Sequence, residues 1–290
     1  MPRGLPSGSV TCSWTRCPCS AGSCNWRWYG VPSPGLGPST WAPEPGNWWR
    51  GSVRERVASG RTVVRVFNRR PILSLVTGRE RLPASRSGVT GLLDLVAAAV
   101  TAGVDLIQVR EPDLPDADLF ALVHRCVGLA AGSHTSVLVN DRLDIALAAR
   151  AAGVHLRGDS VTASAMRRHT PPGFLLGRSV HGAAEAAAVE SGGGVDYVTF
   201  GTVYRSRSKP GLAPHGVESL AAAVRAVSVP VLAIGGVTVD NTGEVFRAGA
   251  AGVAAIGLFA DATAVGDTAG LRQVVGAIRG SYARHYVHRE

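Results

Sequence analysis

The sequence predicts an α/β chain that closes into a TIM-type (β/α)8 barrel behind a disordered N-terminal extension. Three observations carry that expectation. From residue 71 onward, short apolar runs alternate with longer Ala-rich segments, the texture of parallel strands joined by crossover helices. Eight such units can be counted before the chain ends. No G-x-G-x-x-G turn follows the first strand, as an open dinucleotide-binding sheet would usually show.

The expected strands are Ile72–Val76, Leu106–Val109, Ser136–Val139, Val154–Leu156, Phe174–Gly177, Tyr197–Phe200, Val231–Ile234 and Val253–Ile256, each a short run rich in Val, Ile, Leu or Phe. Between them the spacing predicts helices over Leu92–Ala102, Asp116–Ala131, Leu143–Ala151, Ala183–Ser191, Val217–Ala226 and Thr242–Ala248. Several of these end at an Ala-Gly pair, such as Ala102-Gly103 and Ala248-Gly249, where glycine suits a helix C-terminal cap.

The chain has 290 residues and 46% apolar content, enough for one large core, so neither a disordered protein nor a disulfide-stapled miniature is expected. Composition divides it into an extension over 1–68 and a barrel over 69–285. Residues 1–70 hold all six tryptophans, ten arginines and only two carboxylates, Glu44 and Glu55. The remainder carries 20 basic and 19 acidic side chains, so the net charge of +9 belongs to the extension and gives the barrel no nucleic-acid face.

The extension is rich in Pro, Gly, Ser, Trp and Arg and has no sustained apolar period before about Val63. Its cysteines, Cys12, Cys17, Cys19 and Cys24, lack the paired C-x2-C spacing of common zinc sites and are expected to be unpaired thiols. Its composition resembles translated non-coding sequence, and the next methionine is Met166, so a later start near Val57, Val63 or Val64 would use another codon. There is neither a secretory h-region nor a transmembrane run, which predicts a cytoplasmic protein without a membrane partner. A homo-oligomer is compatible with the sequence.

A barrel presents its active site at the C-terminal strand ends and the loops beyond. Those positions are polar here. Gln108 and Arg110 lie at the second strand, Asn140 and Asp141 at the third, Asp159 after the fourth, Ser179 and His181 after the fifth, and Ser206-Arg207-Ser208-Lys209 after the sixth. Loops are polar in any protein, so the signal is their joint placement. Gly235-Gly236 ends the seventh strand and Ile256-Gly257 the eighth, where barrels commonly bind phosphate through backbone N–H groups. A phosphorylated small molecule is the expected ligand.

These motifs resemble the thiamine phosphate synthase and TenI (thiazole tautomerase) superfamily. The resemblance runs from Ile72 to Ala260 and rests on Ile107-Gln108-Val109-Arg110, Val139-Asn140-Asp141-Arg142, Gly153-Val154-His155-Leu156, Gly177-Arg178-Ser179-Val180-His181 with Glu185, Asp196 to Gly201, Ser208-Lys209-Pro210-Gly211 and Ala233 to Gly236. It implies that Ser206 to Ser208, Gly236, Ile256 and Gly257 contact a thiazole phosphate.

Two departures from the superfamily pattern bear on the reaction. Synthases carry a Q-x-R-x-K motif, and Pro112 stands here in the place of the lysine. They also carry H-L-G-Q-x-D, whereas this chain reads His155-Leu156-Arg157-Gly158-Asp159-Ser160. A magnesium pyrophosphate site needs hard oxygen ligands and positive charge for the departing anion, and each departure removes one of these.

The resemblance therefore implies first a TenI-like tautomerase without a cofactor, in which His181 carries a proton as the thiazole carboxylate phosphate becomes aromatic. The alternative is a synthase that couples hydroxymethylpyrimidine pyrophosphate to thiazole phosphate with magnesium held by Asp141, Asp159 standing in for the missing ligand. A non-catalytic ligand-binding or regulatory barrel is a third expectation. His155, inside an apolar strand, is expected to be structural or to support another side chain.

Overall fold

A computed structural model of the chain describes Phe67 and residues 70–84, 87–207, 211–263 and 268–286. Of the extension only Phe67 is described; its four cysteines and the Ser208 to Pro210 segment lie outside the described residues. Eight parallel strands close into a barrel: β1 (Ile72–Val76), β2 (Leu106–Val109), β3 (Ser136–Asn140), β4 (Gly153–Leu156), β5 (Leu175–Val180), β6 (Tyr197–Gly201), β7 (Val231–Ile234) and β8 (Gly252–Ala255). Each pairs with the next, and β8 returns to β1 with Gly252 opposite Ile72 and Ala255 opposite Leu75. The seam is tight, since a Cβ on Gly252 would lie 2.0 Å from the Ile72 carbonyl oxygen.

Helices follow the strands: α1 (Gly88–Ala102), α2 (Asp116–Ala130), α3 (Leu143–Ala148), α4 (Ala163–Arg167), α5 (Ala183–Ser191), α6 (Gly216–Ala226), α7 (Thr242–Arg247), α8 (Gly257–Ala260) and α9 (Thr268–His285). All eight expected strands and six expected helices are present. α1 begins four residues before the expected Leu92, because its first turn, Gly88 to Gly91, has little apolar content to mark it. It ends at Gly103, whose φ of 85° lets its N–H turn back onto the Ala99 and Val100 carbonyls. The sequence reading missed α4 and α8, which are single turns, and α9, whose apolar residues are spaced among Arg, Gln and Gly.

Strand alternation sorts the side chains into two cores. The outward set, including Leu73, Leu75, Ile107, Val109, Val137, Val139, Val154, Leu176, Val198, Phe200, Ala233 and Val253, packs under the helices. The inward set starts with Ile72, Leu106, Leu138, Leu175, Tyr197 and Leu232, an apolar floor against which Phe67 packs from before the first strand. The Phe67 ring lies 5.7 Å from that of Tyr197. One or two pleats further along, the inward positions become polar: Gln108, Asn140, His155, Ser179 and Thr199.

We propose that the folded body begins just before Phe67. A chain started at Val63 is expected to give a cooperative melt close to that of the full chain. Within it, Phe67→Ala should cost on the order of 2 kcal/mol, less than a fully buried Phe because the ring is half-exposed. Loss of the folded circular-dichroism signal on removing residues 1–62 would show that the boundary is misplaced.

Candidate active site

Gln108 and Asn140 sit side by side on β2 and β3, and the Gln108 amide donates to Asn140 Oδ1 at 3.0 Å. Gln108 is 7% exposed, so this pair belongs to the polar wall of the mouth rather than to a loop. The next strands continue it with a buried chain. His155 Nδ1 is 3.0 Å from the Tyr197 hydroxyl, and Nε2 is 3.0 Å from Ser179 Oγ. Tyr197 reaches across β5 because Gly177 lies beneath it: a Cβ there would fall 2.1 Å from the phenol ring.

Burial pushes the His155 pKa down to about 4, so the ring is neutral at neutral pH. Tyr197 is held protonated by the same burial. Among the described residues the phenol has no second partner, which assigns its proton to His155 Nδ1. Nε2–H then donates to Ser179, whose own hydroxyl proton is left to donate into the barrel mouth. The expected supporting role of His155 therefore has a geometry, and Tyr197 is a member that the sequence reading did not single out.

His181 lies just beyond β5. Its Nδ1 is 2.5 Å from the Gly201 carbonyl oxygen, which can only accept, so Nδ1 carries a proton and the neutral ring keeps its lone pair on Nε2. Its backbone N–H donates to Glu185 at 2.7 Å, tying the loop to the start of α5, and the ring stacks on His215 with centroids 5.9 Å apart. Ser179 was expected after its strand; β5 instead extends to Val180, so Ser179 is an inward strand residue.

The carboxylates sit at the β3 and β4 ends. Asp141 takes a left-handed φ of 58°, a conformation that Asp tolerates better than most residues, and its N–H donates to the His155 carbonyl. One carboxylate oxygen accepts from Ser160 Oγ, and the other is 3.4 Å from Arg157 Nε. The same guanidinium forms a two-pronged pair with exposed Asp159, both contacts at 3.0 Å. Arg178, buried on β5, fixes this loop by donating to the carbonyls of Gly158, Ser160 and Val161 at 2.7 to 3.0 Å. Neither Arg157 nor Arg178 was given a role by the sequence reading.

Arg110 is exposed at the β2 end, where its backbone N–H donates to Thr77 Oγ1. Pro112 is flanked by Glu111 and Asp113, both paired to Arg79 of the β1 loop. That loop was not anticipated as part of the rim.

At the opposite side, Gly235 and Gly236 have φ of 98° and 64°. Their lack of side chains has a steric cause. A Cβ on Gly236 would lie 2.3 Å from the Arg205 carbonyl oxygen, and one on Gly235 would lie 2.5 Å from Thr202 Cγ2. The β6 loop thus crosses directly over the pair, bringing Ser206 and exposed Arg207 to this rim, while Lys209 falls outside the described residues. Gly257 opens α8, and its N–H is one of the first-turn donors without an intrahelical acceptor. The Arg81 guanidinium comes within 3.4 Å of where a Gly257 Cβ would lie.

Comparison with known proteins gives consistent matches. The family described as Thiamine monophosphate synthase matches residues 73–259. A Roseiflexus sp. protein named thiamine-phosphate synthase is 40% identical over 171 residues, covering 59% of this chain and 72% of its own length. Its namesake from Roseiflexus castenholzii is 39% identical over 188 residues, covering 64% and 80%. Among solved structures, a Pyrococcus furiosus thiamine phosphate pyrophosphorylase is 27% identical with a TM-score of 0.61, over 74% of this chain and 98% of that one.

The depressed His155 pKa gives a signed expectation for stability. The unfolded chain takes up a proton near pH 6.5 and the folded chain only near 4, so stability is intact above about 6.5 and falls as pH drops through that window. The full loss from this residue is about 3 kcal/mol. Chemical denaturation at pH 7 and pH 4.5 should show a steeper decline for the parent than for His155→Gln; equal slopes would mean that the histidine is not buried in its neutral form.

Proposed function

The chain belongs to the thiamine monophosphate synthase/TenI family, and from that premise we propose that it binds a thiazole phosphate in the barrel mouth and joins it to hydroxymethylpyrimidine pyrophosphate, releasing pyrophosphate. The observation that carries this reading is the name shared by the relatives at 39 and 40% identity, thiamine-phosphate synthase. It reverses the order expected from the sequence, in which tautomerisation came first.

Several residues support the reading. The phosphate meets the backbone N–H groups of Gly236, Ile256 and Gly257 beside Ser206 and Arg207 of the β6 loop, and the resemblance adds Ser208 and Lys209, which lie outside the described residues. Glycine at 235 and 236 is already required by that loop's close passage, so the phosphate assignment rests on the position at β7 and β8 rather than on the glycines themselves. Gln108, Asn140 and Ser179 offer fixed hydrogen bonds to the edge of a heteroaromatic ring. Arg110 supplies charge for the departing anion. The reading includes a cytoplasmic setting.

Magnesium is the cofactor implied for the synthase reaction, and the residues present do not fit it. Asp141 Oδ1 accepts from Ser160, its Oδ2 lies 3.4 Å from Arg157 Nε, and Asp159 is hydrogen-bonded to the same guanidinium, so a positive charge already stands where the ion would sit. The ion pairs to Arg157 weigh against the expected role of Asp141 and Asp159 as metal ligands.

A second reading, thiazole tautomerisation, is favoured by His181. With Nδ1–H committed to Gly201, Nε2 is the ring atom that can take a proton from a dihydrothiazole carbon and return it elsewhere.

One preparation assayed for both reactions separates them. Coupling of the pyrimidine pyrophosphate to thiazole phosphate is the expected result; tautomerisation without coupling would install the second reading, and His181→Asn should then lower its rate by about 10² or more. Under either reaction, calorimetry should show thiazole phosphate binding at least about tenfold, or roughly 1.4 kcal/mol, tighter than the unphosphorylated alcohol. Equal affinities would remove the phosphate site from β7 and β8.

A further inference from the structure

The misfit to magnesium has a specific cause at the β3 and β4 rim. The synthase pattern that the chain resembles, H-L-G-Q-x-D, implies glycine where this chain has Arg157 and aspartate where it has Ser160. These two changes meet at one carboxylate. Ser160 Oγ donates to Asp141 Oδ1, where a second carboxylate would have faced the first, and Arg157 Nε approaches Asp141 Oδ2 at 3.4 Å while the guanidinium grips Asp159 through two contacts at 3.0 Å.

We propose that the guanidinium of Arg157 takes the place of a divalent cation beside Asp141 and Asp159, so that this protein binds its phosphorylated substrates without metal. The proposal rests on the reading of this rim as the family's substrate site, but not on which of the two reactions occurs there.

Three physical points carry it. A magnesium ion sheds its waters reluctantly and needs anionic oxygens to replace them. A hydroxyl that already donates its proton to Asp141 is a poor substitute for the lost carboxylate, which leaves Asp141 as the one half-buried anionic ligand. The competing cation is tethered two residues from Asp159, so it acts at an effective concentration in the millimolar range or above, whereas free metal must compete from solution. The tether is also held in place. Arg157's own N–H donates to Ser160 Oγ at 2.9 Å, and Arg178 fixes the carbonyls of residues 158, 160 and 161.

The side chain of Arg157 is 58% exposed, so its ion pairs contribute little to stability. Exposure leaves it accessible to an anion arriving at the mouth. Guanidinium and magnesium are alternative ways to place positive charge against a phosphate oxygen, and arginine does so with directed N–H donors.

The test uses the full chain with Mn2+ as probe, free Mn2+ being read by electron paramagnetic resonance. Wild type should bind none below about 1 mM. The double variant Arg157→Gly with Ser160→Asp should bind at least about tenfold more tightly, and adding Asp141→Asn to it should abolish that gain. Micromolar Mn2+ binding by wild type, lost in Asp141→Asn, would overturn the proposal, as would a correctly folded double variant with unchanged affinity.

A second measurement does not depend on the variants. Calorimetric affinity of wild type for inorganic pyrophosphate should agree within about twofold in EDTA and in magnesium, and should fall about tenfold in Arg157→Gln. Binding that appears only with magnesium would overturn the proposal while leaving the synthase reading intact; a protein that couples nothing yet binds pyrophosphate in EDTA through Arg157 would do the reverse.

Discussion

Closure of the sheet between β1 and β8 is the constraint on which the other features depend. A closed parallel sheet has one inside, and the two-residue pleat assigns every strand position to it or to the helices. The assignment leaves no latitude: Leu106 and Gln108 both point inward on β2 while Ile107 points outward. Because the inward set passes from Ile72, Leu106 and Leu138 to Gln108, Asn140 and His155 within one or two pleats, the barrel has a dry floor and a polar mouth. The close approaches at Gly252 and Gly177 follow from the same closure, since backbone or a large ring must occupy the volume that a side chain would fill.

Much of this architecture was legible in the amino-acid order. Parallel strands buried on both faces read as short apolar runs, and all eight were placed within a residue or so, except that β5 extends three residues further, to Val180. That extension matters, because it moves Ser179 from a loop into the wall. The polar inward positions could have been read from alternation alone: Leu106-Ile107-Gln108-Val109 and Gly153-Val154-His155-Leu156 each carry one polar residue with apolar neighbours on both sides. In a strand buried on both faces, that pattern marks a polar cavity wall. α9 was illegible because its buried stripe, Leu271, Val275, Ile278 and Tyr282, is diluted by arginine and glycine.

The site was legible by residue type but not by pairing. Asp141 and Asp159 read as candidate ligands because the resemblance to synthases implies a magnesium site there, and nothing in a linear sequence reveals that one guanidinium, Arg157, lies against both. Likewise, glycines 235 and 236 read as an anion nest, whereas their immediate cause is the backbone of residues 202–205 lying across them. In both cases the missing information is the partner across the rim, which depends on how separate loops fold over one another.

Arg178 has a consequence for the way this mouth responds to its surroundings. Its guanidinium holds three backbone carbonyls, none of which titrates, and arginine itself keeps its proton at any pH at which a protein folds. The loop after β4 is thus pinned by contacts indifferent to acidity. A change of pH therefore leaves this part of the rim in the same shape.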